Sequence, residues 1–143
     1  MKKILVVVCM VLFLGSIVSV EYAAADRIVN NNDGTVTDTQ TGLMWADHDN
    51  GSNINWFNAK SYCEGYSGGG KSGWRMPTQD ELAQLDSSRA YGPVIRRTGY
   101  NVWASETRGS EAAFLCFSNG LRFWSPQSYV DGSLRALPVR SGK

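Results

Sequence analysis

The chain is short of reactive side chains. It has one histidine, His48, and three cysteines among 143 residues. A single imidazole leaves little for proton transfer near neutral pH and for histidine-based metal sites. An excess of one charge is missing as well, with 14 Lys and Arg against 13 Asp and Glu. A near-neutral chain is not a dedicated nucleic-acid binder, because phosphate neutralisation needs many cations. There is no internal repeat, no coiled-coil heptad and no Gly-X-Y tract. Long apolar runs are absent apart from Ile4–Val20, whose 17 uncharged residues stand at the lower edge for a membrane-spanning helix.

What is present begins with a targeting signal. Lys2 and Lys3 precede the apolar run, and Ala23-Ala24-Ala25 supplies a small-x-small cleavage site. Residues 1–25 are therefore expected to be a signal peptide, and 26–143 a single exported domain, periplasmic or secreted. The alternative is an uncleaved anchor. Val8 before Cys9 does not suit a lipobox. After cleavage no stable membrane insertion is expected, and the charges sort unevenly. Residues 26–88 carry four basic and nine acidic side chains, residues 89–143 eight basic and three acidic.

Cys63 and Cys116 remain in the expected mature chain. Two cysteines in an exported protein read as one disulfide, with two buried thiols as the alternative. A bridge would close a loop of 53 residues and contribute about 4 kcal/mol by chain entropy.

Residue patterns predict short strands at 27–30, 35–38 and 43–46. They are separated by Asn31-Asn32-Asp33-Gly34 and Thr41-Gly42, residues that tolerate positive φ. A polar loop follows. Trp56, Ala59, Cys63 and Tyr66 then keep helical spacing behind Asn55, a good N-cap. Thr78 and Glu81 form a capping box for a second helix from Gln79 to about Ser88. The last third is β. Ala113–Ser118 and Leu121–Trp124 flank Asn119-Gly120 and predict a two-residue hairpin. That register puts Cys116 opposite Phe123, Leu115 opposite Trp124 and Phe117 opposite Arg122. Phe114, Cys116 and Phe123 then share one face, and Leu115, Phe117, Arg122 and Trp124 the other. A hairpin apolar on both faces is central or covered twice. Leu134–Arg140 is the closing strand.

Several patterns imitate catalytic sites. Residues 65–72, GYSGGGKS, match both the phosphate loop and the G-x-S-x-G elbow. Both chemistries need a strand before the loop and a helix after it. Here a helix precedes, and Gly73-Trp74-Arg75-Met76-Pro77 cannot begin one at once. The residues read instead as a flexible glycine turn. Asp47, His48 and Asp49 sit in an oxygen-rich loop without a recognisable calcium spacing. Glu106 and Glu111 are the only carboxylates of the late region 103–111, too few for a metal. No metal and no cofactor is expected.

The tryptophans and their neighbours fall in an ordered series: NDGTVTDTQTGLMW (Asn32–Trp45), NWFNAKSYC (Asn55–Cys63), GWRMPTQDEL (Gly73–Leu82), NVWASET (Asn101–Thr107) and LPVR (Leu137–Arg140). The series resembles the Legionella collagen-like protein C-terminal domain family over about 27–140. That resemblance implies a C-type-lectin-like α+β fold, two helices packed on a twisted, mainly antiparallel sheet with long loops. It also implies distant similarity to formylglycine-generating enzymes, whose paired reactive cysteines near the C-terminus have no counterpart in Leu134–Arg140. The expectation is a non-catalytic recognition domain. The late basic and aromatic set Arg96, Arg97, Arg108, Arg122, Trp124 and Tyr129, joined by Tyr100 and Arg135, is the candidate surface for a glycan, anionic or sulfated. The bland reading is that Trp124 packs under a loop and the arginines are scattered. An envelope protein is the alternative partner, and an oxidase relative a third. The namesake's collagen stalk is missing, so its multivalence does not carry over.

Overall fold

The computed structural model describes residues 27–89 and 91–143; the expected signal peptide, 1–25, lies outside them. The chain opens with the meander that its turn residues predict: β1 (Ile28–Asn30), β2 (Thr35–Asp38) and β3 (Leu43–Ala46). Gly34 at φ 90° and Gly42 at φ 72° make the two reversals. The last strand, β8 (Val139–Ser141), pairs with β3, so the order is β1-β2-β3-β8 and every pairing is antiparallel.

Both helices start where their caps place them. α1 is Trp56–Glu64, and the Asn55 side chain accepts from the Asn58 N–H at 2.9 Å. Its buried residues are Ala59 and Cys63, and it stops at Gly65. α2 is Gln79–Ser88, with the full capping box: Glu81 N–H donates to Thr78 Oγ1 at 3.1 Å and Thr78 N–H to Glu81 Oε1 at 2.8 Å. Leu82 and Leu85 on its inner face are buried, which contributes roughly 1.5–3 kcal/mol each.

One sheet was expected; there are two. The second contains β4 (Asn101–Arg108), β5 (Glu111–Cys116), β6 (Leu121–Pro126) and β7 (Leu134–Arg135) in the order β6-β5-β4-β7, with β7 parallel to β4. The molecule is thus α+β, two helices with two mostly antiparallel sheets. The closing segment is not a single strand either. Asn50 holds Ala136 at both backbone groups, its N–H donating to Ala136 O and its side chain accepting from Ala136 N–H. Pro138, which has no N–H, then carries the chain from one sheet to the other.

The hairpin register also differs from the expectation. Cys116 pairs with Leu121, Leu115 with Arg122, Phe114 with Phe123 and Ala113 with Trp124. The loop therefore runs from Phe117 to Gly120, closed by Gly120 N–H donating to Cys116 O at 2.8 Å, with Gly120 at φ 72°. Phe117 lies outside the β6 pairing, while its N–H donates to Tyr100 O on the β4 side. Each partner shifts by two positions, so the strand residues keep their faces. Phe114 and Phe123 stack at 5.3 Å between centroids.

β4 carries a bulge between Trp103 and Thr107, and the backbone groups it frees are taken up elsewhere. Trp56 Nε1 donates to Ala104 O at 2.9 Å, and Ser105 N–H donates to Pro77 O at 2.9 Å. Trp103 Nε1 in turn donates to Ile54 O at 2.8 Å. The centre of the second sheet, β5 and the first half of β4, is packed on both faces. Val102, Ala104, Ala113 and Leu115 join Leu82 and Leu85 of α2 and Val36 and Trp45 of the first sheet. Trp103 and Ala112 join Ala59 and Cys63 of α1 with Met76, Leu134 and Ala136. Among the described residues no helix is long and apolar enough to cross a membrane.

The expected disulfide is corrected: Cys63 and Cys116 are both free. Cys63 sits in the core with Ala112 and Trp103. On the same face of β5, Phe114 stands one pleat farther along, and Cys116 lies beyond it at the strand's end. There the Cys116 sulfur meets the Ser118 hydroxyl at 2.9 Å. Burial, and then the charge of Glu64, pushes the Cys63 thiol up to about 12. A thiol reagent should modify half-buried Cys116 in the native protein and Cys63 only after denaturation. If neither reacts until a reductant is added, the free-thiol assignment is wrong.

Two carboxylates tie the outer elements down. Burial alone would raise Asp38, but the bidentate Arg27 guanidinium (3.0 and 3.1 Å), the Gln40 N–H and Thr41 hold it below its usual value. Arg75 and the Thr78 N–H do the same for Glu81 against its own burial. A depressed native pKa stabilises above the unfolded value and loses that contribution as pH falls through the native one. Urea unfolding should therefore show stability level near neutrality and declining below about pH 4. Asp38→Asn should be less stable at neutrality and decline less.

Candidate functional site

The structure does not bring the six predicted ligand residues together. Arg108 lies at the turn end of β4 and β5. Its guanidinium covers the Trp124 ring at 4.3 Å, and its Nε donates to Glu111 at 3.1 Å. The ring face that a sugar would stack on is thus occupied. Arg122 is two residues from Trp124 on β6 and pairs with Asp80 of α2. Tyr129 stands apart on the 127–133 loop, its ring against Gly132. Arg97 packs on Phe117, past the opposite end of β5, a strand roughly 17 Å long at 3.3 Å per residue.

At that far end a basic corner does form. Backbone bonds fix it first: Arg96 N–H donates to Asp47 O at 2.8 Å and Asp49 N–H to Arg96 O at 3.2 Å, joining the acidic loop to the segment before β4. Arg97 then turns inward. Its guanidinium lies 4.3 Å from the Phe117 ring centroid and 4.9 Å from that of Tyr91. Its Nη1 donates to Gly99 O at 3.4 Å, while its Nε is buried with no partner among the described residues. Arg135 approaches from β7. It donates from Nε to Thr98 Oγ1 at 2.9 Å and from Nη1 to Asn53. Gly99 is required where they meet, because a Cβ there would stand 2.5 Å from Ser133 O and 2.8 Å from Arg135 Cγ.

Arg97, Thr98, Gly99 and Tyr100 line a hollow of about 180 Å³. Tyr100 is 65% exposed, and the Arg96 side chain 78% exposed. No carboxylate lines the hollow. The nearby acids stand behind it: Asp49, buried, accepts from Thr98 N–H at 2.6 Å and Thr98 Oγ1 at 2.8 Å, and Asp47 reaches Arg96 at 3.8 Å. Three guanidinium groups therefore stand with two carboxylates, which leaves the corner net positive. The corner fits a small anionic group, held by guanidinium donors with a flat ring beside it.

Sequence reasoning included Arg96, Arg97, Tyr100 and Arg135, but not Thr98, Gly99, Asn53 or Asp49. Thr98, Gly99 and Asn53 contribute backbone shape and hydrogen bonds rather than charge, and Asp49, read only as part of the oxygen-rich loop, contributes the buried carboxylate that holds Thr98; no local motif marks these roles.

The remaining candidates have structural partners. Glu106, at the β4 bulge, accepts from Gln79 N–H with both oxygens, at 2.9 and 3.0 Å, and so serves the N-terminus of α2. Glu111 pairs with Arg108. His48 Nδ1 contacts Asp47 Oδ1. The glycine segment follows α1 and leads to an extended chain whose Arg75 bridges Val139, not to a helix. No group of three or more His, Cys, Asp or Glu among the described residues could hold a metal ion. Cys63, buried and hard to ionise, and Cys116 do not form a reactive pair.

The family profile of the Lcl C-terminal domain matches residues 34–140. No curated protein matches the chain.

The two arginines of the corner differ in role. Arg97→Ala should lower stability by about 1–2 kcal/mol through loss of two guanidinium–ring contacts. Arg96→Ala should stay within about 0.5 kcal/mol. Urea denaturation checks both, and equal effects would contradict the assignment of Arg97 to the fold.

Proposed function

The chain belongs to the Lcl C-terminal domain family, and from that membership and the basic corner beside Tyr100 we propose that it is a non-catalytic recognition domain of the cell envelope that binds an acidic glycan. The observation that carries this is the hollow lined by Arg97, Thr98, Gly99 and Tyr100. A sulfate or carboxylate of the glycan enters it and meets the guanidinium donors. The sugar ring lies against Tyr100, and Arg96 adds charge at the rim. A C-type-lectin-like arrangement is supported by β1 and β8 closing into one sheet, with both helices and the second sheet between them in sequence. Export is supported by Lys2, Lys3, the apolar run and Ala23-Ala24-Ala25.

The second reading is a protein partner added to a sheet edge. β6 is the outer strand of its sheet, and Leu121 and Phe123 on it are 55% and 39% exposed. Such a partner would pair with the strand and cover those side chains.

A heparin column separates the two readings. The protein should be retained at low salt and elute as salt rises. Arg96→Ala combined with Tyr100→Ala should elute clearly earlier, and Leu121→Ser should leave retention unchanged. No retention at low salt, or identical elution of the double variant, would remove the anionic-glycan reading.

A further inference from the structure

A second recess lies in the acidic half of the chain and has the opposite character. It is formed by the β1–β2 turn, the last turns of α1 and the glycine segment after it. Asp33, Ser61, Tyr62, Tyr66, Ser67 and the glycines at 65, 68 and 69 line a groove of about 570 Å³. No lysine or arginine lines it. The volume is within the range of small-molecule sites.

The glycines make the groove. Gly69 N–H donates to Asp33 O at 3.1 Å, and the Tyr66 hydroxyl donates to Gly34 O at 2.8 Å, so the segment lies flat on the β1–β2 turn. A Cβ at Gly68 would fall 2.4 to 2.6 Å from atoms of the Tyr66 ring. A Cβ at Gly69 would fall 2.9 Å from Asp33 Oδ2, and Gly69 has φ 65°. The ring and the carboxylate therefore stand where side chains at 68 and 69 would otherwise be.

Two features define the ligand. The Tyr62 and Tyr66 rings stand 6.5 Å apart at 33° to each other. Asp33 uses Oδ1 for the Thr35 N–H and hydroxyl, while its Oδ2 faces Gly69 with no donor among the described residues. One free carboxylate oxygen does not hold a divalent metal, which takes six or more oxygen ligands as calcium or near-octahedral geometry as magnesium. A carboxylate beside tyrosine rings suits an organic cation, attracted by the charge and by the ring faces.

We propose that this groove binds an organic ammonium group, carried by an amino sugar or by a choline-type headgroup, between Tyr62, Tyr66 and Asp33. The local field agrees with that assignment. Burial, and then the negative charge of Asp47, the neighbouring Tyr62 and Asp33, pushes the Tyr66 hydroxyl up to about 12. Carboxylates that hold a proton on that hydroxyl also favour a cation in front of it. The groove is separate from the basic corner, so a glycan carrying both amine and acid groups could meet either charge.

The test is titration of the whole chain with choline, protonated glucosamine and neutral N-acetylglucosamine, followed by backbone amide NMR shifts. The two ammonium compounds should shift Gly68, Gly69 and Tyr62, and N-acetylglucosamine should not. Asp33→Asn, which keeps the acceptor for Thr35, and Tyr62→Ala should each weaken ammonium binding about tenfold while the rest of the spectrum stays native. Stronger binding of choline assigns the headgroup, stronger binding of glucosamine the amino sugar. The proposal is overturned if neither ammonium compound shifts these residues. It is equally overturned if the neutral sugar shifts them as strongly, or if Asp33→Asn binds like the unmodified protein. Heparin retention of Asp33→Asn should not fall, so failure here is distinguishable from failure at the basic corner.

Discussion

Two indole N–H groups hold the fold together at its centre. Trp103 of β4 donates to Ile54 O, just before α1, and Trp56 at the start of α1 donates to Ala104 O, the next residue after Trp103. The exchange fastens the first helix to the middle strand pair in both directions. It is available only because β4 bulges there, so that Ala104 O and Ser105 N–H leave the ladder. The same bulge sets the second helix: Ser105 N–H takes Pro77 O, and Glu106 accepts the Gln79 N–H at the first turn of α2. One irregularity in a strand thus receives both helices, and the packing of the sheet's centre on both faces follows from it.

What the sequence shows of this is the part written in local chemistry. Asn55, the Thr78–Glu81 capping box and the turn residues at Gly34 and Gly42 act within a few positions, and each appears where expected. The features that were not legible depend on residues far apart. β4 was missed because NVWASETR alternates poorly and its polar half is held by α2. The hairpin closes as a four-residue loop, with Gly120 N–H on Cys116 O, rather than as the two-residue turn that Asn119-Gly120 suggests. Leu134–Arg140 reads as one strand until Asn50, 86 positions from Ala136, binds its middle. The disulfide inference used only number and compartment, and a cysteine pair also needs Cβ atoms that approach. For the candidate site, charge and aromatic content pointed to the last third of the chain. They could not show that Arg108 covers Trp124 while Arg97 lies at the other end of β5.

The uneven charge along the sequence becomes a spatial division. The acidic first half builds β1 to β3 and both helices, and the basic second half builds the second sheet and adds β8 to the first. Pairs such as Arg122 with Asp80 and Arg96 with Asp47 cross between them. Exposed pairs of this kind add little stability, but they consume charge. The charge outside such pairs is what each half presents: the Arg97 and Arg135 guanidinium groups around Gly99, and the Asp33 carboxylate beside Tyr66. A protein close to neutral in total can therefore offer two recesses of opposite sign.

For the proposed anionic ligand, the way the arginines are held divides their roles. Arg97 between two rings, and Arg135 fixed to Thr98 and Asn53, have already lost their rotamer freedom in folding. A ligand that meets them does not have to order them again, and preorganisation of this sort raises affinity without new contacts. Arg96 and Tyr100 are the reverse: exposed and with little holding them, they must be ordered by whatever binds. Fixed donors within and mobile groups at the rim favour a small charged group at the centre and tolerate variation around it. That division matches a polymer whose acidic substituents recur on a varied backbone better than it matches a single defined small molecule.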